Sequence, residues 1–226
     1  HNEDADGDGL ADTAFTATYD TDGNQTTYAR DDGADGTPNH TEVQTYDSNG
    51  NWLTYERDED GDGTADFVSA ASWQSNGYMA TYESHDGDGN RTLYQEISRT
   101  DEGVFLLIRE DGNGDGNIEY AWSGNSDGYF LSREEDYDED GNWDYIEQYT
   151  RNGDNQILTY LKDDNGDGVL EFYYVKTYDD NGNELTHQSD SDGDGSMDYI
   201  KISTYDTNGN QLTYEGIPMV MVTWTF

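Results

Sequence analysis

The sequence contains no cysteine, two prolines and only 10 lysines and arginines in 226 residues. Without cysteine there are no disulfides, no thiol catalysis and no Cys zinc sites. With so few cations the chain has almost nothing to neutralise a phosphate backbone, which excludes nucleic acid as a partner and, for the same reason, anionic membrane surfaces. No run approaches the roughly 20 apolar residues of a membrane span, so no membrane insertion is expected, and no Lys-plus-apolar signal segment opens the chain. It starts at His1 and not Met, as a processed or trimmed product does.

What is abundant is negative charge: 51 Asp and Glu give a formal charge of -41, while only 31% of residues are apolar. Low hydrophobicity with high net charge normally leaves the ordering entropy uncompensated. The 13% of aromatic residues, 19 of them Tyr, argue for order. A chain with so many carboxylates needs counter-cations to compact.

The chain repeats. D-x-D-G-D-G or a close relative begins at Asp4, Asp31, Asp58, Ser84, Asp111, Asp136, Asp163 and Asp190, in steps of 27, 27, 26, 27, 25, 27 and 27 residues. Between these loops lie Y-D-x-x-G-N elements at Tyr19, Tyr46, Tyr178 and Tyr205, with weaker copies around Asn76-Gly77 and Asn152-Gly153. Each unit reads as loop, strand, tight turn, strand. The strands are β-branched and aromatic, as in Phe172 to Tyr178, and Asn-Gly supplies the positive φ angles of a type I′ hairpin turn. Two strands in 27 residues are too few for a propeller blade. The expected fold is therefore all-β, a solenoid of eight stacked hairpins over residues 1–216, followed by an apolar strand over 217–226.

The loops have the grammar of a calcium site. An EF-hand loop supplies oxygens from positions 1, 3 and 5, a carbonyl at 7 and often a group at 9, with Gly at 6 for the turn. Six copies are complete: Asp4, Asp6, Asp8, Asp12; Asp58, Asp60, Asp62, Asp66; Asp111, Asn113, Asp115, Glu119; Asp136, Asp138, Asp140, Asp144; Asp163, Asn165, Asp167, Glu171; Asp190, Asp192, Asp194, Asp198. Two are damaged. The second repeat keeps Asp31, Asp35 and Asn39 but has Gly33 at position 3, and the fourth keeps Asp86 and Asp88 but has Ser84 and Thr92 at positions 1 and 9. About six strong Ca2+ sites and two weak or empty ones are expected. The bidentate position-12 Glu is replaced by Phe15, Ser69 and Trp122 in the copies compared, so flanking helices are not expected, and a further ligand is sought at Asp20, Asp47, Asp179 or Asp206. Magnesium demands octahedral geometry and keeps its waters; transition metals prefer His and Cys.

These loops resemble the calcium loops of dockerin and thrombospondin type 3 repeats. The Tyr-Asp-x-x-Gly-Asn element is similar to the YD repeats of Rhs-type shell proteins. The combination resembles calcium-loaded repeat proteins of microbial surfaces and extracellular filaments, which implies a structural, extracellular role and no catalytic residue.

Every Asp pair is absorbed by the calcium grammar, so no glycosidase pair is left over and no enzyme activity is expected. His1, His40, His85 and His187 read as solvated surface residues. The last residues alternate Val220, Val222, Trp224 and Phe226 with Met and Thr, a strand with one apolar face, while the loop at Asp4 starts without a preceding return strand. The tail either caps its own last repeat or fills that gap in the next copy, which generates a head-to-tail filament. The expected function is a calcium-stabilised structural subunit of a surface or matrix filament whose partners are copies of itself. The alternative is an adhesin stalk or carbohydrate-binding module that takes surface glycans on an exposed aromatic ladder.

Overall fold

The computed structural model describes residues 2–5, 7 and 11–218. Asp6, Asp8 and the tail from Met219 to Phe226 lie outside the described residues. Those described form seventeen strands in antiparallel pairs and no helix. They are β1 (Asn2–Glu3), β2 (Thr13–Tyr19), β3 (Gln25–Asp32), β4 (His40–Tyr46), β5 (Trp52–Asp58), β6 (Phe67–Trp73), β7 (Met79–Asp86), β8 (Arg91–Arg99) and β9 (Phe105–Asp111). The chain continues with β10 (Tyr120–Gly124), β11 (Phe130–Glu135), β12 (Tyr145–Arg151), β13 (Ile157–Asp163), β14 (Phe172–Tyr178), β15 (Glu184–Asp190), β16 (Tyr199–Tyr205) and β17 (Gln211–Pro218).

The chain divides into two compact units. One holds the residues up to Gly103 with Glu110–Asn117, and the other holds Val104–Arg109 with the residues from Ile118 onward. In the first, β1 to β8 pair in chain order. In the second, β10 to β17 do the same. Tandem hairpins are thus present as expected, and each end adds a detail. β1 supplies two residues before the first loop, Asn2 opposite Ala14 and Glu3 opposite Thr13. β17 runs two residues past the boundary drawn at 216, with Ile217 opposite Ile200 and Pro218 opposite Tyr199.

The hairpin turns are not type I′. That turn needs positive φ at both central residues, yet the left-handed residue in each turn is a single glycine, such as Gly23 (φ 90°), Gly50 (82°), Gly182 (82°) and Gly209 (80°). The turns that begin with Asp or Asn open on a side chain that accepts from the backbone two and four residues on. Asp47 Oδ1 takes the N–H groups of Asn49 and Asn51 at 2.8 and 2.9 Å, and its Oδ2 takes the Asn51 amide at 3.0 Å. The register slips just before each turn, between Thr45 and Tyr46 for instance. This is a type I turn continued by a left-handed residue and a bulge. At 152–156 the left-handed place falls to Asn155 (φ 62°) and not to Gly153.

One residue before the turn, the Tyr of Y-D-x-x-G-N ties neighbouring hairpins together. Tyr46, Tyr178 and Tyr205 each donate their hydroxyl to a carbonyl 21 residues earlier, on Gln25, Ile157 and Glu184, at 3.0–3.2 Å. Trp73 and Arg151 perform the same link to Trp52 and Phe130. Cross-strand hydroxyl pairs sit beside the bulges, among them Thr45–Thr54, Thr150–Thr159 and Thr177–Thr186.

The interior differs from that of a layered domain. Ala121 is the sole buried residue with an apolar side chain among those described; the other buried residues are Gly124, serines and the first aspartates of the loops. Apolar stabilisation comes instead from half-buried rings. In the second unit Trp122, Phe130, Tyr149, Tyr160, Tyr174, His187 and Tyr199 follow one another at centroid separations of 4.6–6.2 Å. His187 is thus part of a ring ladder, where burial and the nearby Lys176 lower its pKa, and His40 pairs with Glu42 at 3.0 Å. Neither is a freely solvated histidine.

The tyrosine link sets a test. Tyr178→Phe removes one hydrogen bond between hairpins and should lower unfolding free energy in urea by about 1 kcal/mol. Tyr19→Phe, on a ring that is 62% exposed, should leave it unchanged.

Candidate metal centres

Each acidic loop is organised by its first aspartate. Asp58 Oδ1 accepts the N–H of Gly61 at 2.6 Å and its Oδ2 that of Gly63 at 2.8 Å. Asp163 receives Gly166 and Gly168, Asp190 receives Gly193 and Gly195, and Asp111 receives Gly114 and Gly116, in the same order. Asp136 takes the N–H groups of Asp140 and Gly141, and Asp31 those of Asp35 and Gly36. Asp4 keeps the first of these bonds, to Gly7, at 2.6 Å. All six loop-opening aspartates from Asp31 to Asp190 are buried. Burial opposes ionisation of Asp58, but the N–H groups of Gly63, Gly61, Asp60 and Asp62 outweigh it and lower its pKa.

The loop closes through position 9. The Asp66, Asp144, Glu171 and Asp198 amides donate to the carbonyls of Arg57, Glu135, Lys162 and Ser189 at 2.8–3.0 Å. Their carboxylates turn back to accept the position-2 N–H groups of Glu59, Tyr137, Asp164 and Ser191 at 2.6–2.7 Å. Asp12 and Asn39 do likewise for Ala5 and Asp32, both at 2.6 Å. Position 5 caps its own turn, as Asp62, Asp167 and Asp194 accept from Thr64, Val169 and Ser196.

Carboxylates are thereby brought together. In the first unit, oxygens of Asp58, Asp60 and Asp62 lie within 4.8 Å of one another. In the second unit the same holds for Asp136, Asp138 and Asp144, for Asp163, Asp167 and Glu171, and for Asp190, Asp192 and Asp194. Asn165 donates its amide to Glu171 at 2.9 Å beside the second of these groups. Like charge at such range raises the pKa of Asp138, with Asp140 the first cause, then burial and Asp144. Clustered oxygen donors with no sulfur or nitrogen among them suit a hard divalent cation. The residues present therefore fit a metal ion of that class.

The structure places several predicted ligands elsewhere. Asp86 and Asp88 do not open an acidic loop: Asp86 Oδ1 accepts from Asp88 and Asn90 at 3.0 and 2.9 Å, the bulged-turn pattern of Asp47. The signal was present in the sequence, since Asp86-Gly87-Asp88-Gly89-Asn90 also matches D-x-x-G-N. Asp20, Asp47, Asp179 and Asp206 spend their oxygens on Asn24, Asn51, Asn183 and Asn210 of their own turns, so they reach no loop as extra ligands. Asp111 is ion-paired with Arg91, a cation that sequence spacing does not reveal. Asn113 accepts from Asp115, while Glu119 belongs to the second unit.

A second role for glycine also emerges. A Cβ at Gly61 would collide with the Pro38 carbonyl, and at Gly166 or Gly193 with the carbonyls of Trp143 or Leu170. Each of those carbonyls belongs to position 8 of the preceding loop, so successive acidic loops stack by direct backbone contact. Gly166→Ala should therefore cost well over the ~1 kcal/mol of a left-handed non-glycine residue. Gly168→Ala, with positive φ but open space around it, should cost about that amount. Paired thermal melts at constant calcium check the difference.

No protein-family model matches the chain, and no curated protein does. Among solved structures, TcdB2–TccC3 without its hypervariable C-terminal region aligns at 12% identity and a TM-score of 0.32, over 89% of this chain and 12% of that one. The Tc holotoxin pore of Photorhabdus luminescens aligns at 13% and 0.30, over 91% and 14%. A porin-like protein from Bacteroides uniformis aligns at 15% and 0.28, over 90% and 88%. This chain thus spans about an eighth of the length of the toxin chains it matches, and at these scores the likenesses carry no argument about its function.

Proposed function

We propose that this protein is a calcium-stabilised, extracellular structural protein whose hairpins form a solenoid through EF-hand-like loops, and that it polymerises through strand addition into a surface or matrix filament. The observation that carries the reading is the recurrence of one loop in which a buried aspartate, pinned by backbone N–H groups, holds further carboxylates beside it. Such a loop sets further carboxylates beside a buried one, and their mutual repulsion is relieved when a cation compensates.

Calcium suits the site because its six to eight oxygens can come at mixed geometry from carboxylates, carbonyls and water. Loops of extracellular modules bind it at roughly 0.1–1 mM, which matches millimolar calcium outside cells. A site at ten times its dissociation constant contributes about 1.4 kcal/mol, and six sites about 8, comparable with the stability of a whole domain. That is the scale needed where Ala121 is the sole buried residue with an apolar side chain among those described.

Support for self-association comes from β17. It is exposed along its whole length, with Leu212 at 64% and Tyr214 at 62%. An exposed strand bearing apolar side chains is a template for pairing with another chain. The donor-strand form of the proposal, with the tail as the added strand, concerns residues outside those described.

Two measurements test this reading. Circular dichroism in excess chelator should show loss of the strand signal, restored by calcium; a fully folded protein in chelator contradicts it. Negative-stain microscopy of purified protein with calcium should show fibres, and fewer after deletion of residues 217–226. Monomers under all conditions would reject polymerisation.

A further inference from the structure

One repeat has a hole in its ring-bearing face. Eleven residues after the first aspartate of each loop stands Phe15, Glu42, Trp122, Glu147, Tyr174 or Lys201, but in the third repeat it is Ser69. Ser69 lies on β6 opposite Tyr55 of β5 and Ser84 of β7. No large side chain fills the space above it, and a cavity of about 370 Å3 opens there, within the first unit.

The walls of this cavity are Tyr46, Trp52, Tyr55, Phe67 and Tyr82. Trp52 and Tyr82 meet edge to face with centroids 6.1 Å apart, and Tyr55 and Phe67 lie 6.2 Å apart at 58°. Trp52 is held from behind by the Trp73 indole N–H on its carbonyl at 2.7 Å. Tyr46 is held by its bonds to Gln25 and to Gln44 Oε1, at 3.1 and 2.5 Å. The rings are therefore preorganised.

Two polar groups in the lining remain unused. Ser69 is only 3% exposed and its hydroxyl makes no hydrogen bond among the described residues. Gln44 commits its oxygen to Tyr46, and its amide N–H groups donate to nothing among the described residues. The Ser69 hydroxyl, which is not among the buried atoms left unsatisfied, offers a ligand one donor and an acceptor, and the Gln44 amide offers N–H donors.

We infer that this cavity is a binding site for a neutral pyranose sugar. Its volume falls in the range of small-molecule sites, where apolar and aromatic walls with a few polar groups set orientation. A pyranose presents axial C–H groups to the electron-rich faces of aromatic rings, and its hydroxyls can accept from Gln44 and exchange hydrogen bonds with Ser69. An anionic ligand is opposed by a net charge of -41. A cationic one meets the Arg57 guanidinium, already 5.5 Å from the Phe67 ring centre, and its ammonium centre has no lone pair to accept from Gln44. The inference is independent of calcium binding and of polymerisation.

The test is ligand-observed NMR titration of the full chain in calcium. The probes are the methyl glycosides of glucose, galactose, mannose and N-acetylglucosamine, with choline as the cationic comparator. At least one pyranoside should saturate in the millimolar range expected of a single shallow site (~-4 kcal/mol at 1 mM). Ser69→Tyr restores the ring that Tyr174 provides in its own repeat, so it should fold, give the same circular dichroism and lose binding. Trp52→Ala should weaken binding at least tenfold. The inference is overturned if no pyranoside saturates, if choline saturates instead, or if Ser69→Tyr binds as well as the unaltered protein.

Discussion

The buried first aspartate of each loop is the constraint on which the rest of this structure depends. It ends one strand, and its two oxygens collect backbone N–H groups from the next five residues, so the loop winds around it. Position 9 then returns to the carbonyl beside it, and the following strand starts in register. Where a layered protein would place leucine, this one places a carboxylate. The fold is thus tied to the electrostatics of that carboxylate and its neighbours, which repel one another, as the raised pKa of Asp138 registers.

Repetition carries this local device from one hairpin to the next within each unit. Glycine at position 4 lets one loop lie on the backbone of the loop before it, and the tyrosine before each bulged turn reaches back 21 residues to the previous hairpin. Both links join nearest neighbours only, so stability is close to a sum over repeats and their interfaces. The ring ladder and hydroxyl pairs add cross-strand contacts worth a few tenths to 1 kcal/mol each. None of these is a deep apolar core, which explains how a chain with 31% apolar residues orders at all.

Much of this was legible in the sequence. The period, the alternation of loop and strand, and the loop positions of Asp58, Asp163 and Asp190 follow from spacing and β-propensity alone. The turn type did not, because Asn-Gly is shared by type I′ turns and by bulged turns, and the deciding residue is the Asp three places before the glycine. The fourth repeat was misplaced for a related reason: Asp86 to Asn90 satisfies two motifs, and the hydrogen bonds select the turn. The Arg91 pairing joins different strands and the stacking of Gly61 on Pro38 joins different loops, which spacing does not encode. The cavity over Ser69 is a missing large side chain, visible only once the strand faces are in register.

The central claim is that the acidic loops take up calcium in a fixed number. Native mass spectrometry of the full chain, exchanged into millimolar calcium and then into magnesium, tests it most directly. A discrete population carrying about six calcium ions, largely lost on exchange into magnesium, is the predicted result. A broad distribution of adducts that is the same for both ions would show that the carboxylates bind cations only as a diffuse acidic surface and would contradict the account.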